Sequence, residues 1–184
     1  MELAHTNRET VMNDGREFEV FHLSARDWGR FEPSILEFER DYFPAGLQED
    51  PADLRNLIES PSSIVLGVRT EGVPLAAYVA SDALERFGDV PGVEADPHWN
   101  HGDTHYIAVV VVASRLQHQG LATVLTHRCI DEASKHGAPR VTAHLVAGAG
   151  EKVSPGARVL RTYSNWYGTG RTFEYVELAG AHVR

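Results

Sequence analysis

A glycine turn after an apolar run is the part of the sequence whose residue types suggest chemistry. Four valines at residues 109–112 lead into the sequence QHQGLAT at residues 117–123, where a helical periodicity begins. A helix start carries unpaired N–H groups and a partial positive charge, so it can hold an anion where the side chains are small. Gly120 would admit a ligand, Ala122 is small and Thr123 offers a hydroxyl. The same glycine would also serve a plain strand-to-helix turn, and both interpretations stay open.

A second group of residues with chemical potential is the sequence HWNHGDTH at residues 98–105. Its histidines, His98, His101 and His105, have spacings that occur in zinc sites. They lie in a Gly- and Asp-containing segment without Cys, and no predicted strand or helix fixes them. We therefore expect them to face solvent and expect no bound metal.

The elements that must position these residues follow from periodicity, caps and turn residues. A strand, helix and strand in succession around Gly120 indicate a parallel strand pair with a right-handed crossover. The connection at residues 84–104 is too long for an ordinary turn, which predicts a functional or a mobile loop. We predict strands at 18–23, 64–69, 74–81, 106–113, 140–146 and 172–178, and helices at 24–43, 51–60, 121–136 and 154–168.

Length and composition restrict the class of protein. A chain of 184 residues with 42% hydrophobic content is enough for one globular domain. A formal charge of −9 disfavours binding to nucleic acid. Residues 1–15 lack the pattern of a signal peptide and no window is apolar enough for a membrane helix, so we expect a cytoplasmic protein. The single Cys129 is expected to be a buried hydrophobic residue.

The segment VASRLQHQGLA at residues 112–122 resembles motif A of the GCN5-related N-acetyltransferase (GNAT) superfamily. In that motif a strand ends in Val, and a turn of the form Q/R-x-x-G-x-G/A opens the next helix. The residues at these positions are Val112, Gln117, Gly120 and Ala122, while Ser114 replaces a frequent proline. The order of the predicted elements also resembles the superfamily over residues 18–178.

The resemblance implies an α/β fold in one domain, with a mixed central sheet, helices on both faces and a splayed central strand pair that forms an acyl-CoA cleft. The domain would span residues 18–184, and residues 1–17 would form an N-terminal extension that could be flexible. In the superfamily the turn amides hold the pyrophosphate of coenzyme A, and the strand pairs with its pantetheine arm. The implied cofactor-binding residues are Val110, Val111, Val112, Gln117, His118, Gln119, Gly120, Leu121, Ala122 and Thr123.

The resemblance also implies an activity, the transfer of an acetyl group from acetyl-CoA to a primary amine of a small molecule or a protein. The superfamily commonly protonates the departing thiolate with a Tyr on the helix after the fifth strand. Tyr163 is the candidate on the predicted helix 154–168 and Tyr167 is the alternative, although Arg161 stands where the pattern expects Tyr. Both tyrosines could instead be packing residues. Alternative functions are an acyltransferase that uses a longer acyl-CoA, and a non-catalytic acyl-CoA-binding or regulatory module.

The group that takes the proton from the amine has several candidates. His105 has an intrinsic pKa suited to a general base. Glu39 and Asp41 could reach the amine from the first helix, His144 could face the site from its strand, and water could relay the proton instead. The expected partners are an acyl-CoA and an amine, with a homodimer as a further option, and neither nucleic acid nor a membrane.

Overall fold

The structure is a computed structural model that describes residues 9–13 and 16–180. Its α-helices are α1 (Trp28–Tyr42), α2 (Pro51–Glu59), α3 (Leu121–Lys135) and the single-turn α4 (Gly150–Val153). Its strands are β1 (Glu9–Asn13), β2 (Arg16–His22), β3 (Ile64–Thr70), β4 (Val73–Ala83), β5 (Thr104–Val112), β6 (Arg140–Val146), β7 (Arg158–Tyr163) and β8 (Phe173–Leu178). Among these residues, no helix combines the length and the apolar character needed to cross a membrane.

The strands form one mixed sheet in the order β1-β2-β3-β4-β5-β6-β8-β7. Among the described strands, only β5 and β6 pair in parallel, and α3 is the crossover between them. The predicted mixed sheet is therefore confirmed. The sheet begins before position 18, the predicted start of the first strand. β2 begins at Arg16, and residues 9–13 form a further strand that pairs with it.

Each face of the sheet is covered by different helices. On one face, α1 turns Phe31, Ile35 and Phe38 inward at helical spacing, against a cluster that includes Tyr78 of β4. On the other face, α3 buries residues that include Leu125 and Cys129. Alternate residues of β5 serve the two cores, so this strand is apolar on both faces.

The predicted helix at 154–168 is wrong, because residues 158–163 form the edge strand β7. Ser154 does not cap a helix; its hydroxyl donates to the Ala179 carbonyl at 2.7 Å and accepts from the Ala179 N–H at 2.9 Å. The segment RVLRTY contains Val, Thr and Tyr, which favour strands, and it pairs antiparallel with β8 from Arg158–Glu177 to Tyr163–Phe173. Tyr163 is thus a strand residue.

The connection between β4 and β5 is packed onto the sheet. Leu84 and Val93 are fully buried in a small cluster of their own with two tyrosines of the sheet. Asp96 is also buried, and both of its carboxylate oxygens accept hydrogen bonds from Arg140 at 2.9 and 2.8 Å. This ion pair ties the middle of the long connection to the first residue of β6.

Candidate active site

The parallel pair of β5 and β6 separates partway along its length, and the separation opens a cleft in the sheet. Their pairing ends at Ile107 and Ala143, after which β5 continues to Val112 beside β4 alone. Ala108, the next residue of β5, has no partner in the β4 register either, because a bulge falls at this point. The predicted splay of the central strands is therefore confirmed.

The free edge of β5 exposes backbone groups to this cleft. The N–H of Ala113 donates to the Ala76 carbonyl of β4 at 2.9 Å. Since alternate residues of an antiparallel ladder face the partner strand, Val110 and Val112 direct their N–H and C=O groups away from β4 and into the cleft. The Gln117 side chain donates to the Val112 carbonyl at 3.1 Å, which fixes the turn after the strand.

The start of α3 supplies a second set of backbone donors. The first intrahelical bond runs from the Val124 N–H to the Gly120 carbonyl at 3.0 Å, so the N–H groups of Leu121, Ala122 and Thr123 have no partner within the helix. Gly120 has φ +70°, a left-handed conformation that by itself favours glycine. This conformation accounts for the choice of glycine, although His118 in the same turn also has φ +64°. The turn aims the positive end of α3 at the cleft.

The cleft has a volume of about 760 Å³, within the range of small-molecule sites. Eight of the ten implied cofactor-binding residues line it, namely Val110, Val112, Gln117, His118, Gly120, Leu121, Ala122 and Thr123. The side chain of Val111 instead packs in the core under α1 and α2, and Gln119 is not among the lining residues. The structure thus brings most of the implied set into one space.

Other parts of the chain that sequence reasoning missed also line the cleft. The segment after α1 contributes Phe43 and Leu47, and the far side contributes Lys152 of α4 and Arg171. Tyr42, the last residue of α1, connects α1 to the turn after β5, because its hydroxyl accepts a hydrogen bond from the Ser114 N–H at 2.6 Å. No short motif links these positions in sequence, so only the fold reveals them.

His144 of β6 is the residue at which the two strands part, and it lines the cleft. Its Nδ1 lies 3.0 Å from the Tyr106 hydroxyl, and its ring stacks on Trp166 at 4.4 Å and on Tyr175 at 4.7 Å. Burial lowers the pKa of His144 to about 4, although the Pro91 carbonyl opposes the shift. The imidazole is therefore neutral at pH 7.

Neither predicted acid lines the cleft. Tyr163 packs on His144, with ring centroids 5.3 Å apart, but its hydroxyl is buried against Gly92 and has no hydrogen-bond partner among the described residues. Tyr167 is 54% exposed and lies edge-on to Trp166. Partial burial raises the pKa of Tyr167, and the nearby carboxylate of Asp89 adds to the shift.

Three of the four predicted bases also lie outside the lining of the cleft. His105 is buried with its Nδ1 3.3 Å from the Ser81 hydroxyl, and burial lowers its pKa.

The two carboxylate candidates lie on α1. Glu39 is buried, and it accepts hydrogen bonds from the Tyr78 hydroxyl at 3.3 Å and from the Glu49 N–H at 3.0 Å. Burial raises the pKa of Glu39. Asp41 is exposed and accepts from Arg40 at 2.8 Å. His144 is the only one of the four candidates that the structure places in the cleft.

The divergence of β5 and β6, and the cleft that it opens beside the start of α3, define a protein of the GNAT fold class. Residues 32–150 match the model of the Acetyltransferase (GNAT) family, and the chain belongs to this family. No curated protein matches the sequence.

Solved structures share the fold at low sequence identity. The GNAT domain of S. lividans PAT is 18% identical, with 97% of this chain and 100% of that chain covered and a TM-score of 0.67. The ribosomal-protein-S18-alanine N-acetyltransferase from Escherichia coli is 16% identical, with 91% and 99% covered and a TM-score of 0.62. Arabidopsis thaliana NAA60 in complex with acetyl-CoA is 15% identical, with 87% and 97% covered and a TM-score of 0.64.

Proposed function

We propose that the protein is an N-acetyltransferase that moves the acetyl group of acetyl-CoA to a primary amine. The observation that carries this proposal is the charge of the cleft. The whole chain has a formal charge of −9, yet no Asp or Glu occurs among the described residues that line the cleft, whereas Lys152 and Arg171 do. A groove that gathers cations and helix N–H groups in an acidic protein suits a polyanion such as the phosphates of coenzyme A.

The residues present fit acetyl-CoA. The N–H groups at the start of α3 would hold the pyrophosphate, where Gly120 and Ala122 leave room for it. The C=O of Val110 and the N–H of Val112 are groups that the amides of the pantetheine arm can pair as another strand would. Acetyl-CoA supplies the thioester. The N–H of Val110 would donate to the thioester carbonyl as negative charge develops there, an effect worth about 3 kcal/mol in other acyl transfers.

The choice of an amine as acceptor is supported by carboxylates near the cleft. Glu49 follows the cleft residue Leu47 by two positions, and its N–H donates to Glu39. Partial burial raises the pKa of Glu49, with further contributions from the carboxylates of Asp53 and Asp89. Carboxylates that repel one another in this way would attract an ammonium group and favour its approach.

We assign His144 the role of orienting the amine. An alkyl ammonium in water has a pKa near 10.4 and must lose its proton before it attacks. The neutral imidazole can accept a hydrogen bond from the amine, or from a water that carries the proton away. A base whose pKa is about 4 does not hold the proton itself, so the net transfer goes to solvent.

The test is calorimetric titration with acetyl-CoA, with desulfo-CoA as a comparison and a panel of amines assayed on the same sample for free thiol. We expect saturable binding and the release of thiol with at least one amine. The absence of binding would refute the proposal.

A second candidate, a non-catalytic acyl-CoA-binding module, is favoured by one observation: Tyr163 and Tyr167 both lie outside the cleft. Binding without thiol release across small amines, peptide N-termini and lysine peptides would support this candidate. Repeating the assay with longer acyl-CoA donors separates it from an enzyme with a different acyl preference.

A further inference from the structure

Three side chains that could ligate a metal meet at the end of the β4–β5 connection. The Nδ1 of His98 lies 3.0 Å from Oδ2 of Asp103, and the rings of His98 and His101 are 5.6 Å apart. The ligand atoms of the three residues all lie within 4.8 Å of one another. The sequence pattern grouped the two histidines with His105, but His105 is buried beside Ser81, and Asp103 takes the third position.

The structure supplies what the sequence lacked, a framework that fixes this segment. The N–H of His98 donates to Asp96 at 2.8 Å, and Asp96 is held in turn by Arg140. The hydroxyl of Thr104, the first residue of β5, donates to Asp103 at 2.8 Å. The expectation of no bound metal depended on the absence of such anchors. His101 itself is exposed, as the sequence predicts.

We propose that His98, His101 and Asp103 form a binding site for a divalent transition-metal ion, with Zn²⁺ as the best match. Two imidazole nitrogens and one carboxylate are ligands that Zn²⁺ prefers. Tetrahedral bonds of about 2.0–2.1 Å would place the donor atoms about 3.3 Å apart, close to the present separation of His98 and Asp103. His101 is exposed, so rotation of its side chain can close the remaining distance. Water would complete the coordination.

The test is calorimetric titration of the metal-free full chain with Zn²⁺. We expect one ion per chain and a loss of affinity of at least about tenfold in His101→Ala and in Asp103→Asn. The matched control is His22→Ala, which removes an exposed histidine from β2 and should leave the affinity unchanged. Unfolding temperatures measured with a chelator show whether each variant keeps its fold.

Three results would overturn the site: no saturable binding, the same affinity in His101→Ala as in the unmodified protein, or an equal loss in His22→Ala. Binding is measured without any amine or acyl-CoA, so the outcome is independent of the proposed transferase activity.

Discussion

Replacing Arg140 by Met is expected to lower the free energy of unfolding by about 3–5 kcal/mol, the cost of removing one partner of a buried ion pair. The side chain of Asp96 is 0% exposed and that of Arg140 is 11% exposed. After the substitution, Asp96 keeps donors from the Tyr175 hydroxyl at 2.7 Å and the His98 N–H at 2.8 Å, but it loses the cation that compensates its charge. Glu177 loses its bond from Arg140 Nε as well.

Urea unfolding at pH 7 measures this loss, and a thermal scan should show a fall of roughly 6–20 °C for a chain of this size. The matched control is Arg158→Met. Arg158 bonds the same Glu177 oxygen at 3.0 Å, but its side chain is 68% exposed, so its removal should cost no more than about 1 kcal/mol. Equal effects of the two substitutions would refute the argument from burial.

The pH dependence gives an independent check. Burial acts to raise the pKa of Asp96, but the bonds from Arg140, the His98 N–H and Tyr175 outweigh it and hold the pKa below its ordinary value. A lowered folded pKa stabilises the protein above the unfolded value of about 3.9, and this contribution is lost as the pH falls below it. The difference between the protein and Arg140→Met should therefore shrink below about pH 4. A difference that stays constant as the pH falls further below about 4 would contradict the assignment.

Further predictions concern the cleft. Gly120→Glu should abolish acetyl-CoA binding, whereas Gly72→Glu, which adds the same charge at another glycine with φ +70°, should retain it; calorimetry compares the two. Tyr163→Phe should keep kcat, because its hydroxyl lies outside the cleft, and a fall of roughly 100-fold or more would identify it as the acid after all. Burial holds the pKa of His144 at about 4, below the unfolded value of about 6.5, so stability should be lost as the pH falls between these values. Urea unfolding of His144→Phe across this range should show a smaller loss, because the lowered pKa of His105 remains.

The centre of the fold could be predicted because its signals are local. β5, the turn at Gly120, α3 and β6 follow one another in the chain, and each is long and periodic. Burial on both faces made β5 apolar from Ile107 to Val112, while α3 keeps a buried stripe at helical spacing. The glycine could be recognised because its left-handed conformation restricts the residue type.

The edge strand β7 could not be recognised in the same way. No residue of β7 is buried, and Val159 is 51% exposed, so the strand lacks the alternation of apolar and polar residues that identifies half-buried strands. Ser154 and Pro155 match the residue pattern of a helix start. The sequence therefore predicts a helix that contains Tyr163, whereas Tyr163 lies on β7. The positions of His105 and His144 relative to the cleft depend on a bulge and on strand divergence, which leave no local trace in the sequence.

The chain has a net negative charge, but the charges around the cleft are unevenly distributed. This distribution would suit both proposed substrates, the anionic acetyl-CoA and the cationic amine. Lys152 and Arg171 lie in the lining, which lacks carboxylates among its described residues. Glu49 and Asp89 are not part of that lining, and both carboxylates interact electrostatically with Tyr167. An anionic donor and a cationic acceptor would therefore each be drawn to its own end, with His144 at the point where β5 and β6 part. Because such steering depends on the local field, an acidic chain can still favour a polyanionic cosubstrate.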